Sequence, residues 1–222
     1  CLMLTPDVVA RCVAAMKETI SIPVTVKCRI GVDDQDTETA LDALADQVLE
    51  AGADALWVHA RKAWLKGLSP KENREIPPLD YERVYRLKQR LGETFVGING
   101  GIATLEEAQV HLQKVDAVML GRAAYHNPAL LADVDARLYG EGQEPLAMPE
   151  IIDAMCDYID RHIASGGRLS HVSRHMVGLF TGQPGARRWR QILSTDATKP
   201  GATSDVVRQA YATVVEACAE AA

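Results

Sequence analysis

The first half of this chain repeats one pattern four times: a short apolar segment followed by an amphipathic helical segment. The apolar segments are rich in β-branched residues and are not interrupted by alternating polar residues. Continuous apolar strands of this kind are typical of a parallel sheet that is buried on both faces. The predicted strands are residues 22–29, 54–59, 95–98 and 115–120.

Helix signals fill the segments between these strands. Thr5 precedes a proline and an acid, and Thr104 and Glu107 have the spacing of a capping box. After residue 140 the strand pattern stops. The predicted helices are residues 5–19, 37–51, 80–91, one from 104, one from about 127, and then 149–165, 169–180, 186–193 and 204–221. We therefore predict an α/β unit followed by a small all-helical domain.

The composition indicates a globular protein that has no membrane-spanning segment and no metal site. The 222 residues contain no apolar run near the ~18 residues that span a bilayer, and no basic–apolar leader opens the chain. The five cysteines are scattered and form no CxxC pair, which argues against a disulfide framework or a zinc site. We therefore expect a cytoplasmic protein with no membrane partner and no bound metal.

The charge distribution points toward a polyanion more than the net charge does. The net charge of −6 argues against a nucleic-acid binder. Residues 161–195, however, contain six arginines, three histidines and no acid. Such local asymmetry indicates either a nucleic-acid contact or a solvated helical face, and the residues alone leave both open.

Polar and glycine residues follow all four predicted strands at their carboxyl ends. They are Lys27, His59, Asn99-Gly100-Gly101 and Gly121-Arg122. In a β/α barrel these ends share one rim, where active sites are built. We therefore predict a binding site at this rim.

The last two strand ends predict a phosphate site. A Gly-Gly turn lets backbone amides approach an anion closely, and Arg122 could clamp the same anion. Barrel phosphate sites often follow strands seven and eight. The first unit is then the C-terminal half of a β/α (TIM) barrel, strands 5–8, in residues 1–140, with the helical domain in residues 141–222. Because the chain opens at Cys1 without a leading strand, we expect it to be part of a longer protein.

Lys27, His59 and the loop 60–78 indicate what kinds of molecule this rim could bind. Lys27 lies among apolar residues, where an anion such as the pyrimidine edge of a reduced flavin would stabilise it. His59 is equally compatible with a ligand contact and with a core position. The loop 60–78 carries five cations around Trp64, a composition that suits a phosphodiester chain with an unstacked base.

Several motifs together resemble the tRNA-dihydrouridine synthases, most closely the A subfamily. They are VTVKCRIG, HARKAWLKGLSPKENREIPPLDY, INGGI and MLGRAAYHNP. The long loop motif is highly specific, whereas INGGI and GR occur in many flavin-binding barrels. The resemblance extends over essentially the whole chain.

The resemblance implies an FMN-binding barrel with a helical tRNA-binding domain. It implies NADPH-driven reduction of uridines in the tRNA D-loop, at positions 20 and 20a, to 5,6-dihydrouridine. The implied FMN contacts are Lys27, His59, Asn99, Gly100, Gly101, Gly121 and Arg122. The predicted tRNA contacts are Arg61, Lys62, Lys71, Arg74, Arg187, Arg188 and Arg190.

One family motif is absent from the chain. The general acid of the family is a cysteine in an Asn-x-Gly-Cys-Pro motif, and no such motif occurs here. We expect it upstream of Cys1, and we therefore expect the intact protein, and not this stretch alone, to be active. Two other functions stay open: an FMN barrel that reduces a small-molecule pyrimidine, and a non-catalytic tRNA-binding protein.

Overall fold

The computed structural model describes residues 1–140, 144 and 146–221. They form two compact units, Cys1–Leu120 and Gly121–Ala222, each with its own apolar core. We predicted a boundary between residues 140 and 141, and residue 141 lies outside the described residues. The division falls twenty residues earlier because residues after Leu120 pack in the second unit, where Ala129 lies against the core.

The first unit consists of four parallel strands joined by helices. Its elements are α1 (Pro6–Thr19), β1 (Thr25–Arg29), α2 (Thr37–Glu50), β2 (Ala55–His59), α3 (Tyr81–Leu91), β3 (Phe95–Asn99), α4 (Leu105–Leu112) and β4 (Ala117–Met119). The strands lie side by side in chain order, and all three pairings are parallel. This order is that of consecutive β/α units in a barrel. The predicted fold class is confirmed.

The two faces of the sheet differ in chemistry. One face contributes Val26, Cys28, Leu56, Val58, Val96 and Ile98 to the apolar core. The alternate residues of the same strands, among them Lys27, Arg29, Trp57, His59 and Asn99, belong to the opposite face, which we call the polar face. The helices therefore cover one side of the sheet, and the predicted site residues Lys27, His59 and Asn99 lie on the other.

Side-chain caps fix where the helices of the first unit begin. Asp36 and Asp80 each accept a hydrogen bond at 2.9 Å from the amide three residues later. Thr104 and Glu107 form the complete capping box that their spacing predicted. Thr5 precedes α1 without such a bond, because its hydroxyl donates to the carbonyl of Leu2 at 3.3 Å.

Two predicted strands are shorter than expected. The segment from residue 22 becomes a strand only at Thr25, because Pro23 has no amide proton and the amide of Val24 donates to the Asp54 carboxylate at 2.6 Å. Asp116 likewise accepts the amide of Val96 at 2.8 Å, and β4 begins after it. In both places the aspartate bonds its partner residue twice, since its own amide also donates to the carbonyl of that residue, at 2.8 Å for Asp54 and Val24 and 3.0 Å for Asp116 and Val96.

The second unit is helical. Its α-helices are α5 (Arg122–His126), α6 (Met148–Ala164), α7 (Leu169–Ser173), α8 (Ala186–Thr195) and α9 (Asp205–Ala221). Its core surrounds Trp189, which is fully buried and meets Phe180 edge to face with ring centroids 4.8 Å apart. The all-helical character of this part of the chain was predicted from the loss of the strand pattern.

Two helix predictions in this unit need correction. The helix predicted from about residue 127 begins at Pro128, with Asn127 as its N-cap, but Pro128–Asp133 is a 3-10 helix, and α5, which ends at His126, was not predicted. The helix predicted for residues 169–180 ends at Ser173. Beyond it the chain continues in three-residue turns, and the carbonyl of Met176 accepts the Trp189 indole N–H at 3.0 Å.

Candidate active site on the polar face of the sheet

The polar face arranges its side chains in two rows across the strands. In the first row, Lys27 pairs with Trp57 and Trp57 with Gly97. In the second row, nearer the carboxyl ends, Arg29 pairs with His59 and His59 with Asn99. Since parallel strands keep one register, three predicted site residues lie on this face within two residues of the strand ends.

A hydrogen bond joins the polar side chains of β1 and β3. The Lys27 ammonium donates to Asn99 Oδ1 at 3.2 Å, and Asn99 Nδ2 donates to the carbonyl of Met119 at 2.8 Å. Asn99 is therefore held at both ends and fixes the position of the lysine. Burial lowers the pKa of Lys27, and the nearby Arg29 lowers it further, against an opposing effect of Cys28.

The glycine turn after β3 is packed against two neighbouring side chains. Gly100 and Gly101 have φ of +122° and +72°, which residues with a β-carbon rarely adopt. A β-carbon at position 100 would lie 2.8 Å from His59 Cδ2, and one at 101 would lie 2.7 Å from Leu79 Cδ1. The Tyr81 hydroxyl donates to the Gly100 carbonyl at 2.7 Å. The turn therefore requires both glycines, and it brings the His59 ring against the main chain.

The start of α4 is already occupied by its own side chains. The Glu107 carboxylate accepts the amides of Ala103 at 2.7 Å and Thr104 at 3.3 Å, and the Thr104 hydroxyl accepts the amide of Glu107. The amides of Ala103, Thr104 and Glu107 are therefore already hydrogen-bonded within the protein and do not bind an anion. In this arrangement the backbone amides of the glycine turn are the better candidates.

Arg29 ties β1 to the loop after β2. Its guanidinium Nη1 donates to the carbonyls of Lys62 and Asn73, each at 2.8 Å. Burial lowers the pKa of Arg29, with smaller contributions from Arg74 and Arg61. The loop that carries the predicted RNA-binding cations is thus anchored to the sheet by a side chain of the polar face.

The four loop cations predicted to bind tRNA divide into two groups. Lys62 donates to the carbonyl of Asp33 at 3.0 Å, and Arg61 donates to the carbonyls of Glu75 and Pro77. Lys71 and Arg74 are exposed, although Arg74 also donates to a carbonyl within the loop. Arg61 and Lys62 therefore hold the fold of the loop, while Lys71 and Arg74 face solvent.

The predicted site residues of the second unit lie on two of its helices. Gly121 precedes α5, and Arg122 is its first residue. Arg187, Arg188 and Arg190 lie exposed on α8, whose opposite side buries Trp189 and Ile192. The amphipathic pattern of α8 thus presents three arginines to solvent.

A family model matches residues 1–216 of this chain, and its description is dihydrouridine synthase. The chain belongs to the dihydrouridine synthase family. Among curated relatives, it is 54% identical to the tRNA-dihydrouridine(20/20a) synthase of Shewanella oneidensis over 96% of this chain and 64% of that protein. The relatives of the same name from Vibrio parahaemolyticus and Escherichia coli K12 are 52% and 50% identical, over 96% and 97% of this chain and 66% and 63% of those proteins. The chain spans just under two thirds of the length of these relatives.

The dihydrouridine synthase family is flavin-dependent, and the polar face offers groups that suit a flavin. Lys27 supplies a partly desolvated cation at a fixed position, as an anionic ring edge requires. The backbone amides of the Gly100–Gly101 turn are the candidates for a phosphate, and the His59 ring and Leu79 pack against the same glycines. Among the described residues no helix is long and apolar enough to cross a membrane, and no cluster of three or more histidines, cysteines or acids could hold a metal.

Three residues that the dihydrouridine synthase fold brings to this site were not predicted from sequence: Arg29, Trp57 and Asn73. Arg29 and Trp57 lie two positions from Lys27 and His59, so the alternation of a strand would have found them. Asn73 accepts the amide of Trp64 at 2.8 Å and donates to its carbonyl at 2.6 Å. No short-range signal marks that pairing.

Proposed function

We propose that the protein containing this chain is a tRNA-dihydrouridine synthase. It would reduce the 5,6 double bond of uridines at positions 20 and 20a of the tRNA D-loop, with FMN as its flavin and NADPH as the reductant. The observation that carries the proposal is the 54% identity, over 96% of this chain, to a relative named tRNA-dihydrouridine(20/20a) synthase. A tRNA substrate also agrees with a cytoplasmic location.

The residues of the polar face would bind and orient the flavin. Lys27, held by Asn99 at 3.2 Å, would contact its pyrimidine edge, and His59 would lie beside it. The amides of Gly100 and Gly101 would receive the phosphate. Gly121 and Arg122 are proposed as phosphate ligands from their position after β4 in the sequence. A bound flavin would supply the hydride chemistry that no side chain here can provide.

The exposed arginines and lysines would bind the tRNA. In the first unit, Lys71 and Arg74 face solvent on a loop that Arg61, Lys62 and Arg29 hold in place. In the second unit, Arg187, Arg188 and Arg190 lie exposed on α8. Cations distributed in this way suit the phosphates of a folded RNA more than a small pyrimidine.

We propose that no cysteine of this chain is the proton donor of the reaction. Cys28, next to Lys27 in sequence, faces the core, and burial raises the pKa of its thiol to about 12. Cys156 is also buried, and burial raises its pKa as well. A thiol that donates a proton to substrate has to reach the polar face, which Cys28 does not.

The experiment that tests this function uses the full-length protein. Its flavin spectrum is recorded, the flavin is reduced with NADPH under anaerobic conditions, and unmodified tRNA is added. Reoxidation of the flavin by tRNA, with dihydrouridine at positions 20 and 20a, is the expected result. A flavoprotein whose reduced flavin ignores tRNA would instead support a small-molecule pyrimidine reductase. A colourless protein that binds tRNA would support a non-catalytic binder.

A further inference from the structure

A cavity of about 670 Å³ lies in the first unit where the chain leaves β1 and β2. Its lining comes from the loop after β1, the loop after β2, and the starts of α2 and α3. None of Lys27, His59, Asn99 or the glycine turn lines it. The volume falls within the range of about 300–1,000 Å³ that is typical of ligand pockets.

Several charged groups of this cavity are already used by the fold. Asp33 accepts the amide of Leu65 at 2.7 Å, and its carbonyl accepts Lys62 Nζ at 3.0 Å. Asp80 caps α3. These contacts build the walls of the cavity and orient the side chains of Asp33, Lys62 and Asp80.

Three other side chains of the cavity remain available: Asp34, Lys66 and Trp64. Asp34 and Lys66 are exposed, and neither forms an ion pair or a hydrogen bond with another described residue. Trp64 is half-buried, and Asn73 holds both its amide and its carbonyl, at 2.8 Å and 2.6 Å. The cavity thus combines an aromatic ring on a fixed main chain with one carboxylate and one ammonium that no described residue binds.

This combination matches the three parts of a nucleotide. An aromatic ring on a fixed main chain stacks an unpaired base. A carboxylate accepts hydrogen bonds from an exocyclic amino group, which guanine, adenine and cytosine carry and uracil lacks. An ammonium group pairs with the phosphate. The free carboxylate favours an amino-bearing base over uracil, because the N3–H donor of uracil is flanked by two carbonyl oxygens whose partial negative charge the carboxylate repels.

We propose that this cavity binds an amino-bearing nucleobase of the RNA substrate, at a position other than the reacting uridine. The base stacks on Trp64, its amino group donates to Asp34, and its phosphate pairs with Lys66. The inference rests on the proposed function, because it takes RNA as the substrate. Arg74, proposed to bind RNA phosphates, directly follows the Asn73 that holds Trp64, so one RNA segment can use both.

The test compares variants of the full-length flavoprotein by tRNA binding as well as turnover. Trp64→Leu is expected to weaken binding of unmodified tRNA roughly tenfold or more, whereas Trp64→Phe keeps a stacking ring and restores most of it. Asp34→Asn is expected to weaken it about five- to tenfold. The control Glu93→Gln removes an exposed charge just before β3, at the other end of the strands, and should change nothing. All variants should keep the wild-type flavin spectrum.

Substituted tRNAs identify the base. Each amino-bearing D-loop nucleotide is replaced in turn by uridine, and the affinity of each tRNA is measured for wild type and for Asp34→Asn. One replacement should weaken binding by the wild type and have no further effect on Asp34→Asn. If no replacement behaves in this way, Asp34 does not read a base and the inference fails.

The remaining outcomes separate this inference from the proposed function. The reductant also carries an amino-bearing base, so flavin reduction by NADPH is timed in each variant. Slower reduction in Trp64→Leu with unchanged tRNA affinity would assign the cavity to the reductant and overturn the RNA assignment. Wild-type turnover on tRNA together with unchanged binding by Trp64→Leu would overturn the inference alone. A wild-type protein that binds no tRNA would overturn both.

Discussion

The indole of Trp57 occupies the space in front of Gly97 on the neighbouring strand. A β-carbon at position 97 would lie 2.3 Å from the indole Cε3, closer than any van der Waals contact permits. The two residues are direct cross-strand partners. The ring can therefore lie over residue 97 on the polar face, with Lys27 as its partner on the other neighbouring strand, only because residue 97 has no side chain.

The first prediction is that Gly97→Ala destabilises the protein by about 1–3 kcal/mol, the usual cost of overpacking. It should also lower the flavin content, because the indole has to move across the polar face. Thermal unfolding and the flavin-to-protein absorbance ratio measure the two effects. Adding Trp57→Phe should recover part of the loss, since a smaller ring leaves room for the new methyl group. Purely additive effects would contradict the packing account.

The second prediction concerns the charge on Lys27. Because burial lowers its pKa, the folded protein holds the ammonium less well than water does. Lys27→Met should therefore raise the melting temperature of the flavin-free protein only slightly, because the lysine is still exposed and solvent screens its charge, and it should weaken flavin binding. The stabilisation should be largest below the lowered pKa and shrink as pH rises toward that of free lysine. Exposed Lys114→Met is the control, and an equal gain there would contradict the desolvation account.

The third prediction uses Cys28, whose pKa burial raises to about 12 from an ordinary value of 9.0. The unfolded chain loses this proton first, so the free energy of unfolding should fall as pH rises from about 9 toward 12. The largest slope for one proton is about 1.4 kcal/mol per pH unit. Cys28→Val should flatten this part of the profile in denaturant titrations. A profile that Cys28→Val leaves unchanged would show that the thiol is not protected in the folded state.

The sequence predicted the first unit well because its signals are local. The capping box at Thr104 lies within four residues, and the core-facing residues of β1, β2 and β3 recur at every second position of each strand. The second unit was harder. The helix predicted to reach residue 180 stops at Ser173, and the Met176 carbonyl binds the indole of Trp189, thirteen residues away. No local pattern contains such a contact.

The same distinction applies to the candidate site. Lys27, His59 and Asn99 could be predicted to share one face, because parallel strands align their carboxyl ends. The sequence could not predict which loop cations hold the loop in place and which face solvent. Whether Arg61 points to solvent or to the carbonyls of the loop depends on the path of the following residues, which sequence spacing does not fix.

The fourth prediction concerns the exposed arginines of α8. If Arg187 and Arg190 each neutralise a phosphate, replacing both with alanine should reduce the slope of log affinity against log salt by about 1.5–2. Fluorescence anisotropy with labelled tRNA across a salt series measures the slope. Arg11→Ala removes an exposed arginine from α1 that pairs with Asp7, and it should leave the slope unchanged. An unaltered slope in the double variant would remove these residues from the RNA-binding surface.

The fifth prediction concerns the start of the same helix. Gly185 has a φ of +79°, and a β-carbon there would lie 2.8 Å from the Val214 α-carbon in α9. Gly185→Ala should therefore cost about 2–4 kcal/mol, combining backbone strain with overpacking. Gly182 has a similar φ of +84° with nothing within 4 Å, so Gly182→Ala should cost only about 1 kcal/mol.

Chemical denaturation of the two variants measures the difference in their stability. The tRNA affinity of each variant shows whether the substitution also disturbs RNA binding. Because Gly185 sets the approach of α8 to α9, its replacement should displace the helix that carries Arg187 and Arg190 and weaken tRNA binding, whereas Gly182→Ala should bind normally. Equal stability of the two variants would mean that α8 can move away from α9 at little cost. In that case the packing of α8 against α9 would not be what positions Arg187 and Arg190.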